Sequence, residues 1–463
     1  MYMKKVSKYK LLVLVAAAFT MQSCLATKNY KSPEVETENL YRTEVELDST
    51  TLADVPWQEL FTDSYLQSYI EQGLESNYDL QIAIQNLEAA TAQMKQGKAE
   101  YYPVINANGS WVRQETSENG TYGGGTIEQF QLGAAATWEL DIWGKLNSSK
   151  KAAMASYLQS AAARQAVQTQ IISAISSTYY QLLALDAQVL VAEENLKNRI
   201  RGVEVIKSLK ESGDVNEMAV KQTEAQKLGT QIILEDLKYN VKVLENTLSI
   251  LIGKAPATLE RGAFDEQEIA VDIKPGLPAL LLSKRPDVVS AEMNFRRTFE
   301  LTNVARSKFY PSIKLSAEGG LQSLDFSNLF SDKSLFGNLS AGLTQPIFNR
   351  RAIKTEYEVS QANQQKAYLQ YQKALLTAGK EVSDALADYE NESNKLAVRT
   401  EQLNALKVAS EYSEQLLEYG RVNYLEVLTV KDNVLNSELQ LISNKFNQLN
   451  AVITLYRSLG GGV

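Results

Sequence analysis

Apolar residues recur every three or four positions along most of this chain of 463 residues. This is the period of an amphipathic α-helix, in which one side of the helix is covered and the other faces solvent. Three such apolar seams are Leu234, Leu237, Val241, Leu244, Leu248 and Leu251; Leu375, Ala378, Val382, Ala385, Tyr389, Leu396, Leu403 and Leu406; and Ile442, Phe446, Leu449, Ile453 and Tyr456. We therefore predict long helices in these parts of the chain.

The helix predicted between Asn349 and Tyr419 contains no proline. At about 1.5 Å per residue it would be on the order of 100 Å long. Many positions of its seam are alanine, and Glu392 and Arg399 also fall there, whereas a two-stranded coiled coil favours leucine and isoleucine. The pattern favours helices packed side by side in a hollow cylinder, with a plain coiled-coil stalk as the alternative.

Four shorter segments alternate between apolar and polar residues, which predicts β-strands with two different faces. Segments of about ten residues with this period suit strands that cross a membrane, and Trp111, Trp138 and Trp143 would be interfacial anchors. A sheet that covers a soluble core would show the same period. The apolar positions are Ile105, Ala107, Gly109 and Trp111; Phe130, Leu132, Ala134, Ala136, Trp138 and Leu140; Ile313, Leu315 and Ala317; and Leu339, Ala341 and Leu343.

Four strands are too few to close a membrane barrel, because the smallest such barrels have about eight. An open sheet edge in lipid would leave backbone N–H and C=O groups without partners, at a cost of several kcal/mol each. If these strands enter a membrane, the protein must therefore be an oligomer.

The motifs of the first half return in the second half at an offset of about 207 residues. Each half is predicted to contain a helix, two strands and a long helical hairpin. Gly213 and Gly420 are the predicted hairpin tips, because glycine readily adopts the left-handed backbone that ends many helices. The predicted parts are a signal peptide at residues 1–23, an extended segment at 24–60, a first repeat at 61–256, a linker at 257–278 and a second repeat at 279–463.

The amino terminus has the composition of a secretory signal. Four lysines between positions 4 and 10 precede a short apolar run at residues 11–19, which is too short to span the roughly 30 Å of hydrocarbon in a bilayer. Ser23 and Cys24 follow, and a small residue before a cysteine at this distance resembles the lipobox of bacterial lipoproteins. We predict that Cys24 is the lipidated first residue of the mature chain; an ordinary secretory signal that contains a thiol is the alternative.

Composition excludes several kinds of chemistry. The chain has no histidine and one cysteine, so imidazole acid–base catalysis, Ser-His-Asp and Cys-His nucleophiles and His-based zinc sites are excluded. The net charge of -8 argues against nucleic acid, whose binding depends on clustered Lys and Arg. We expect no enzymatic activity, no metal, no cofactor and no nucleic-acid partner.

Several motifs occur in a specific order along the mature chain. They are the lipobox at Cys24, Tyr-Pro strand entries at residues 102–103 and 310–311, Trp-Glu-Leu-Asp-Ile-Trp-Gly at 138–144, Arg-Pro-Asp-Val at 285–288 and a Gly-rich end at 459–462. In this order they resemble the outer membrane efflux factors, the TolC-like channel-tunnels, and most closely the lipoprotein branch of that family.

The resemblance implies a mainly α fold with a small β part. Long helical hairpins would form a periplasmic α-barrel, four strands per chain would contribute to a shared trimeric transmembrane β-barrel, and residues 257–278 would be an equatorial linker. It also implies a homotrimer in the outer membrane, anchored by lipid, with a periplasmic adaptor protein and an inner-membrane pump as partners. Such a chain would be a passive conduit in a tripartite efflux or type I-like export system. The alternative is a periplasmic coiled-coil adaptor or scaffold lipoprotein.

In the family, the periplasmic mouth closes near the hairpin tips. The aperture motif maps onto Leu425, Thr429 and Asp432, and Thr429 stands where relatives often carry an aspartate. Either Asp432 provides a negative constriction or Leu425 closes the mouth sterically.

Arg285-Pro286-Asp287 has a local interpretation as the start of a helix. Proline is accommodated in the first turn, and an aspartate there faces the positive end of the helix dipole. We therefore interpret this motif as structural and not as a functional site.

Overall fold

The computed structural model describes residues 26–37, 40–42, 51–120, 123–267 and 275–462. The predicted signal peptide and Cys24 lie outside these residues. The longer elements, in chain order, are α1 (Ser64–Ser76), α2 (Tyr78–Ala99), β1 (Val104–Thr116), β2 (Gly125–Leu140), α3 (Lys145–Ser212), α4 (Glu217–Leu251), α5 (Pro286–Ser307), β3 (Ser312–Ser323), β4 (Leu335–Thr344), α6 (Ala352–Glu418) and α7 (Tyr424–Ser458). One-turn helices lie at Trp57–Leu60 and Leu281–Lys284, and 3-10 turns at Leu52–Asp54, Phe264–Glu266, Pro278–Leu280, Phe326–Asn328 and Asp332–Ser334.

The long helices predicted from the three-to-four-residue period are confirmed. Helix α6 runs for 67 residues without interruption, and α4 and α7 have 35 residues each. Seam positions such as Leu375, Val382 and Ile453 are buried, because the apolar stripe is the side that other helices cover. Among the described residues, no helix combines the length and the apolar character needed to cross a membrane.

The four predicted strands are also confirmed, and they extend beyond the alternating positions that identified them. They form one antiparallel sheet in the order β1-β2-β3-β4. Each strand pairs with the next strand in sequence. Strand β2 therefore pairs with β3, although the hairpin of α3 and α4 lies between them in the chain.

The chain divides into two compact units, each built from three separate stretches. Within the described parts of the chain, the first unit takes residues from 26–34, 86–160 and 290–371, and the second takes residues from 35–85, 161–289 and 372–462. The sheet belongs to the first unit and both hairpin tips belong to the second. Each unit therefore takes material from both predicted repeats, whose boundaries stay a prediction.

The chain that follows the predicted lipidation site is held in the first unit by α5. The side-chain amide of Asn303 binds both backbone groups of Lys28: its Oδ1 accepts from the N–H at 3.0 Å, and its Nδ2 donates to the carbonyl at 2.9 Å. The Tyr30 hydroxyl donates to Glu292 at 3.2 Å, and the Tyr30 ring contacts Phe299 edge-on. We call residues 26–34 the amino-terminal strap.

The second unit contains two similar junctions. In each, the residue just before a helix (α2 or α5) binds the last residue of a long hairpin helix (α4 or α7). At the first junction, Nδ2 of Asn77 donates to the carbonyl of Leu251 at 2.9 Å. At the second junction, Nη1 of Arg285 donates to the carbonyl of Ser458 at 3.1 Å. The accepting carbonyls are the last residues of α4 and α7, where helix carbonyls have no partner within the helix.

A glycine with left-handed backbone follows the accepting carbonyl at both junctions. Gly253 has φ +74° and Gly460 has φ +91°. A Cβ at Gly253 would lie 2.5 Å from the carbonyl oxygen of Ser76, and one at Gly460 would collide with the carbonyl oxygen of Lys284. Both positions therefore require glycine for its backbone conformation and for the close approach of a second chain segment.

Ion pairs surround the second junction. Arg285 is 6% exposed and its Nη2 lies 2.6 Å from Asp287 and 2.8 Å from Glu381. Burial alone would lower the pKa of Arg285, but the two carboxylates raise it above its ordinary value. Burial alone would raise the pKa of Asp287, yet the hydrogen bonds from Arg285 lower it. Helix α5 begins at Pro286, which supports the structural interpretation of this motif.

Candidate functional site

The strand register places the apolar residues of all four strands on one face of the sheet. Residues that are directly opposite in neighbouring strands share a face. The opposing pairs on this face include Trp111↔Phe130, Ile105↔Ala136, Leu132↔Leu321, Trp138↔Leu315, Ile313↔Leu343 and Ala317↔Leu339. We call this surface the apolar face.

The apolar face is not covered by any other part of the described chain. Leu339 is 84% exposed, and Ile105, Trp111, Leu132, Leu335 and Leu343 are exposed as well. A contiguous apolar surface of this kind marks an interaction with a partner or a membrane. The opposite face carries polar side chains, among them Gln131, which donates to Glu318 at 2.7 Å.

Both outer strands of the sheet have a free edge. Among the described residues, β1 pairs only with β2, and β4 pairs only with β3. The free edges present unpaired backbone donors and acceptors along 13 residues of β1 and 10 residues of β4. Such edges are templates for pairing with a further strand.

Two of the three predicted anchor tryptophans lie on the apolar face, where their anchoring role stays a prediction. Trp111 and Trp138 are exposed on the apolar face. Trp143 is buried: its ring stacks on Tyr310 at 4.9 Å, and its Nε1 donates to the carbonyl of Pro311 at 2.7 Å. The prediction that Trp143 is an interfacial anchor is wrong, because this indole packs between chain segments that precede α3 and β3.

The structure places Gly213 and Gly420 in the turns that join the helices of the two hairpins. Gly213 has φ +91° and Gly420 has φ +67°, the left-handed conformation in which each helix ends. The next helix of each hairpin is capped by an asparagine: Asn216 accepts from the Ala219 N–H, and Asn423 accepts from the Glu426 N–H, both at 3.1 Å. The two tips are therefore built alike.

The three predicted aperture residues lie in the first turns of α7, just after the Gly420 turn. Leu425 is 48% exposed. The Thr429 hydroxyl donates to the Leu425 carbonyl at 2.9 Å, so it is occupied within its own helix. Asp432 forms an ion pair with Arg199 of α3. Of the three side chains, the exposed Leu425 is the one that no hydrogen bond or ion pair holds in place.

Arg199 is the residue near the tips that sequence reasoning missed. It is 4% exposed, its Nη1 donates to Gln226 at 2.9 Å, and its Nη2 pairs with Asp432. At the repeat offset of about 207 residues the second half has Leu406. Arg199 thus stands at the position where the second half has a leucine of the apolar seam. This replacement was the sequence signal for a buried charge that needs a partner.

A second ion pair lies next to the pair of Arg199 and Asp432. Lys431 pairs with Glu414 of α6, within the same hairpin. Burial raises the pKa of the neighbouring Tyr424 above its ordinary value. Among the described residues no group of acidic or sulfur side chains is placed to hold a metal ion.

Comparison with known proteins identifies the family of this chain. Residues 69–254 and 277–461 match the outer membrane efflux protein family. The chain is 29% identical over 462 residues to the probable efflux pump outer membrane protein TtgC of Pseudomonas putida, covering 98% of this chain and 95% of TtgC. It is 28% identical over 416 residues to the probable outer membrane lipoprotein SilC of Salmonella typhimurium, covering 88% of each.

A solved channel shares the fold. The open state of the MtrE outer membrane channel of Neisseria gonorrhoeae aligns with a TM-score of 0.84 at 25% identity, over 94% of this chain and 98% of that chain. This confirms the mainly α fold class with its small β part, the outer-membrane location and the function of an efflux channel component. The chain belongs to the outer membrane efflux protein family.

Proposed function

We propose that three copies of this chain form one passive conduit across the outer membrane. The observation that carries this proposal is the sheet, which has an uncovered apolar face and two free edges. Pairing β4 of one copy with β1 of the next would supply partners for both edges. Three copies would contribute twelve strands to one closed barrel, which is an even number in the range of known membrane barrels.

The conduit would work with a periplasmic adaptor protein and an inner-membrane pump that supplies the energy. TtgC is named as the outer membrane protein of an efflux pump, which supports this assignment. We propose no enzymatic role and no cofactor. The cargo would be selected by the pump, since a passive conduit needs no binding site of its own.

Charge substitutions on the two faces of β4 test this arrangement. Leu339→Arg would place a cation on the apolar face, at a cost of about 2–4 kcal/mol at the membrane midplane. Ser340→Arg, the matched control, places the same charge on the polar face of the same strand. We expect Ser340→Arg to yield a detergent-stable trimer that conducts ions in planar bilayers, and Leu339→Arg to lose both properties. Equal behaviour of the two variants, or a soluble monomeric wild type, would contradict the proposal.

We further propose that the mouth near the hairpin tips closes sterically through Leu425, with Thr429 beside it. The pairing of Asp432 with the buried Arg199 supports this choice over a negative constriction. Replacing Leu425 and Asp432 together by alanine is expected to raise single-channel conductance, and Leu425→Ala alone should give most of the increase. Unchanged conductance in the double variant would place the constriction elsewhere.

We propose that Cys24 carries the lipid anchor. SilC is named as a lipoprotein, and the amino-terminal strap begins two residues after Cys24. Cys24→Ala should abolish incorporation of labelled fatty acid, whereas Ser23→Ala should retain it. Continued labelling of Cys24→Ala would refute the assignment.

A further inference from the structure

A cleft in the first unit lies where α2 ends, β1 begins and α3 makes its first turns. Its volume is about 550 Å³. A second cleft near the sheet is lined by Glu139 and Asp141 as well as by lysines, whereas no carboxylate is among the lining residues of this one. The lining residues are Lys98, Tyr101, Tyr102, Lys150, Lys151 and Met154. We call it the basic cleft.

The lysines of the basic cleft are not directly paired with carboxylates of the described chain. Within the described part of the chain, none of its three lysines forms an ion pair; Lys150 instead lies over the Tyr101 ring, 5.1 Å from its centroid. The nearby carboxylates have other partners. Glu100 accepts from Ser149 at 2.9 Å, and Asp141 accepts from the first backbone N–H groups of α3 at 2.8 Å and from the Tyr101 hydroxyl.

At the equivalent surface of the second half, two basic residues are paired with carboxylates of α6. There Lys308 pairs with Glu356 at 2.6 Å, and Arg351 pairs with Glu358 at 2.9 Å. Both carboxylates lie early in α6, where the first half has the basic residues of early α3. Among the described residues, the three lysines of the basic cleft thus lack the direct carboxylate partners that Lys308 and Arg351 have in the second half.

The basic cleft is continuous with the apolar face. Nε1 of Trp138, an exposed residue of that face, donates to the carbonyl of Tyr101 at 2.9 Å. Tyr102, at the entrance to β1, is 73% exposed. Aromatic side chains next to a lipid-facing surface are typical of the level at which lipid headgroups lie, and lysines there attract anionic headgroups.

We propose that the basic cleft binds the headgroup of an anionic phospholipid. The phosphate would lie among the three lysines, Tyr102 would cover the glycerol region, and the acyl chains would run along the apolar face beside Trp138 and Ile105. The inference depends on the outer-membrane location of the sheet and not on the number of copies or on the closing of the aperture.

Native mass spectrometry of the full chain in detergent tests the proposal, with phosphatidylglycerol as the anionic probe and phosphatidylcholine as the zwitterionic one. The variant carries Lys98→Gln, Lys150→Gln and Lys151→Gln. We expect it to bind phosphatidylglycerol at least about tenfold more weakly than the wild type, because each lysine near an anionic headgroup contributes roughly a fivefold factor. Phosphatidylcholine binding should be unchanged.

The matched control removes the same charge from the second half, through Lys308→Gln, Arg351→Gln and Lys354→Gln, the last at an exposed lysine in the first turn of α6. It should bind phosphatidylglycerol within about twofold of the wild type. Tyr102→Ala, whose side chain is exposed and therefore dispensable for folding, should also weaken binding if the triple variant proves unstable. Equal loss in both triple variants, wild-type binding in the first triple variant and in Tyr102→Ala, or full displacement of the lipid by millimolar inorganic phosphate would each overturn the proposal.

Discussion

The junctions at Asn77 and at Arg285 occupy equivalent places in the two halves but are held by different chemistry. Both side chains donate to the last carbonyl of a 35-residue helix, Leu251 in one half and Ser458 in the other. The first junction uses one neutral amide. The second uses a buried guanidinium with two carboxylates around it.

The start of the following helix explains this difference. Helix α2 begins with residues that have backbone N–H groups, and Oδ1 of Asn77 accepts from those of Asp79 and Leu80 at 2.9 and 3.2 Å. Helix α5 begins with Pro286, which has no N–H, and the next two backbone N–H groups, of Asp287 and Val288, interact with the Asp287 carboxylate. The residue before it is therefore free from capping, and a longer charged side chain can make the contact. Equivalent backbone geometry thus tolerates a change of chemistry when the local hydrogen-bond requirement changes.

Removal of the side chain that makes the contact should produce the largest difference in stability between the two junctions. Arg285→Gln is expected to lower the local free energy of unfolding by about 3 kcal/mol, because it leaves Glu381 and the Ser458 carbonyl without their buried partner. Asn77→Ala should cost about 1–2 kcal/mol, the usual loss of a capping residue with one further hydrogen bond. Hydrogen-exchange mass spectrometry of the peptides that end α4 and α7 measures both. Equal losses would show that the charges contribute nothing beyond the hydrogen bond.

The glycines should respond alike, because their surroundings are alike. Gly253→Ala and Gly460→Ala are each expected to lower the free energy of unfolding by about 2 kcal/mol or more. The alanine would have to adopt a left-handed backbone, and its methyl group would also collide with a carbonyl oxygen. Gly420→Ala is the matched control, because its φ is +67° but no atom lies within 4 Å of an added Cβ. It should cost about 1 kcal/mol. Thermal unfolding followed by circular dichroism gives the ranking, and a Gly420 variant as damaged as the others would show that backbone strain alone decides it.

Acid should weaken the second junction alone, and only slightly. The pKa of Asp287 is lowered in the folded chain, so its contribution to stability is present above the ordinary aspartate value and is lost as the pH falls below about 4. The carboxylate is about half exposed, so the effect should be less than about 1 kcal/mol. Hydrogen exchange at the end of α7, compared between pH 6 and pH 3 after correction for intrinsic rates, measures it. Asp287→Asn should remove the difference, and its persistence there would assign the pH effect to another group.

The helices and strands could be predicted because their signals are periodic and local. The seam through Leu375, Val382 and Leu403 identifies one helix without reference to any other part of the chain, and the alternation around Leu339 does the same for a strand. The sheet order could not be derived in this way, since β2 pairs with β3 across a hairpin of more than a hundred residues. Local patterns contain no information about such distant partners.

The candidate sites were predicted less completely, because a side chain's partner decides its role. Trp143 has the composition of a membrane anchor, but Tyr310 and Pro311 bury it. From the sequence, Asp432 could be a free negative charge. In the structure it is paired with Arg199, which lies more than two hundred residues away in the chain. In both cases the residue type was informative, but only the three-dimensional neighbour settles what the residue contacts.

The amino-terminal strap has a consequence for how its sequence can vary. Asn303 contacts Lys28 only through the backbone N–H and C=O, while the lysine side chain is exposed. Any residue except proline could stand at position 28 and be held in the same register. Sequence variation at position 28 therefore leaves the strap in place, because the amide of Asn303 recognises the main chain there and not the side chain.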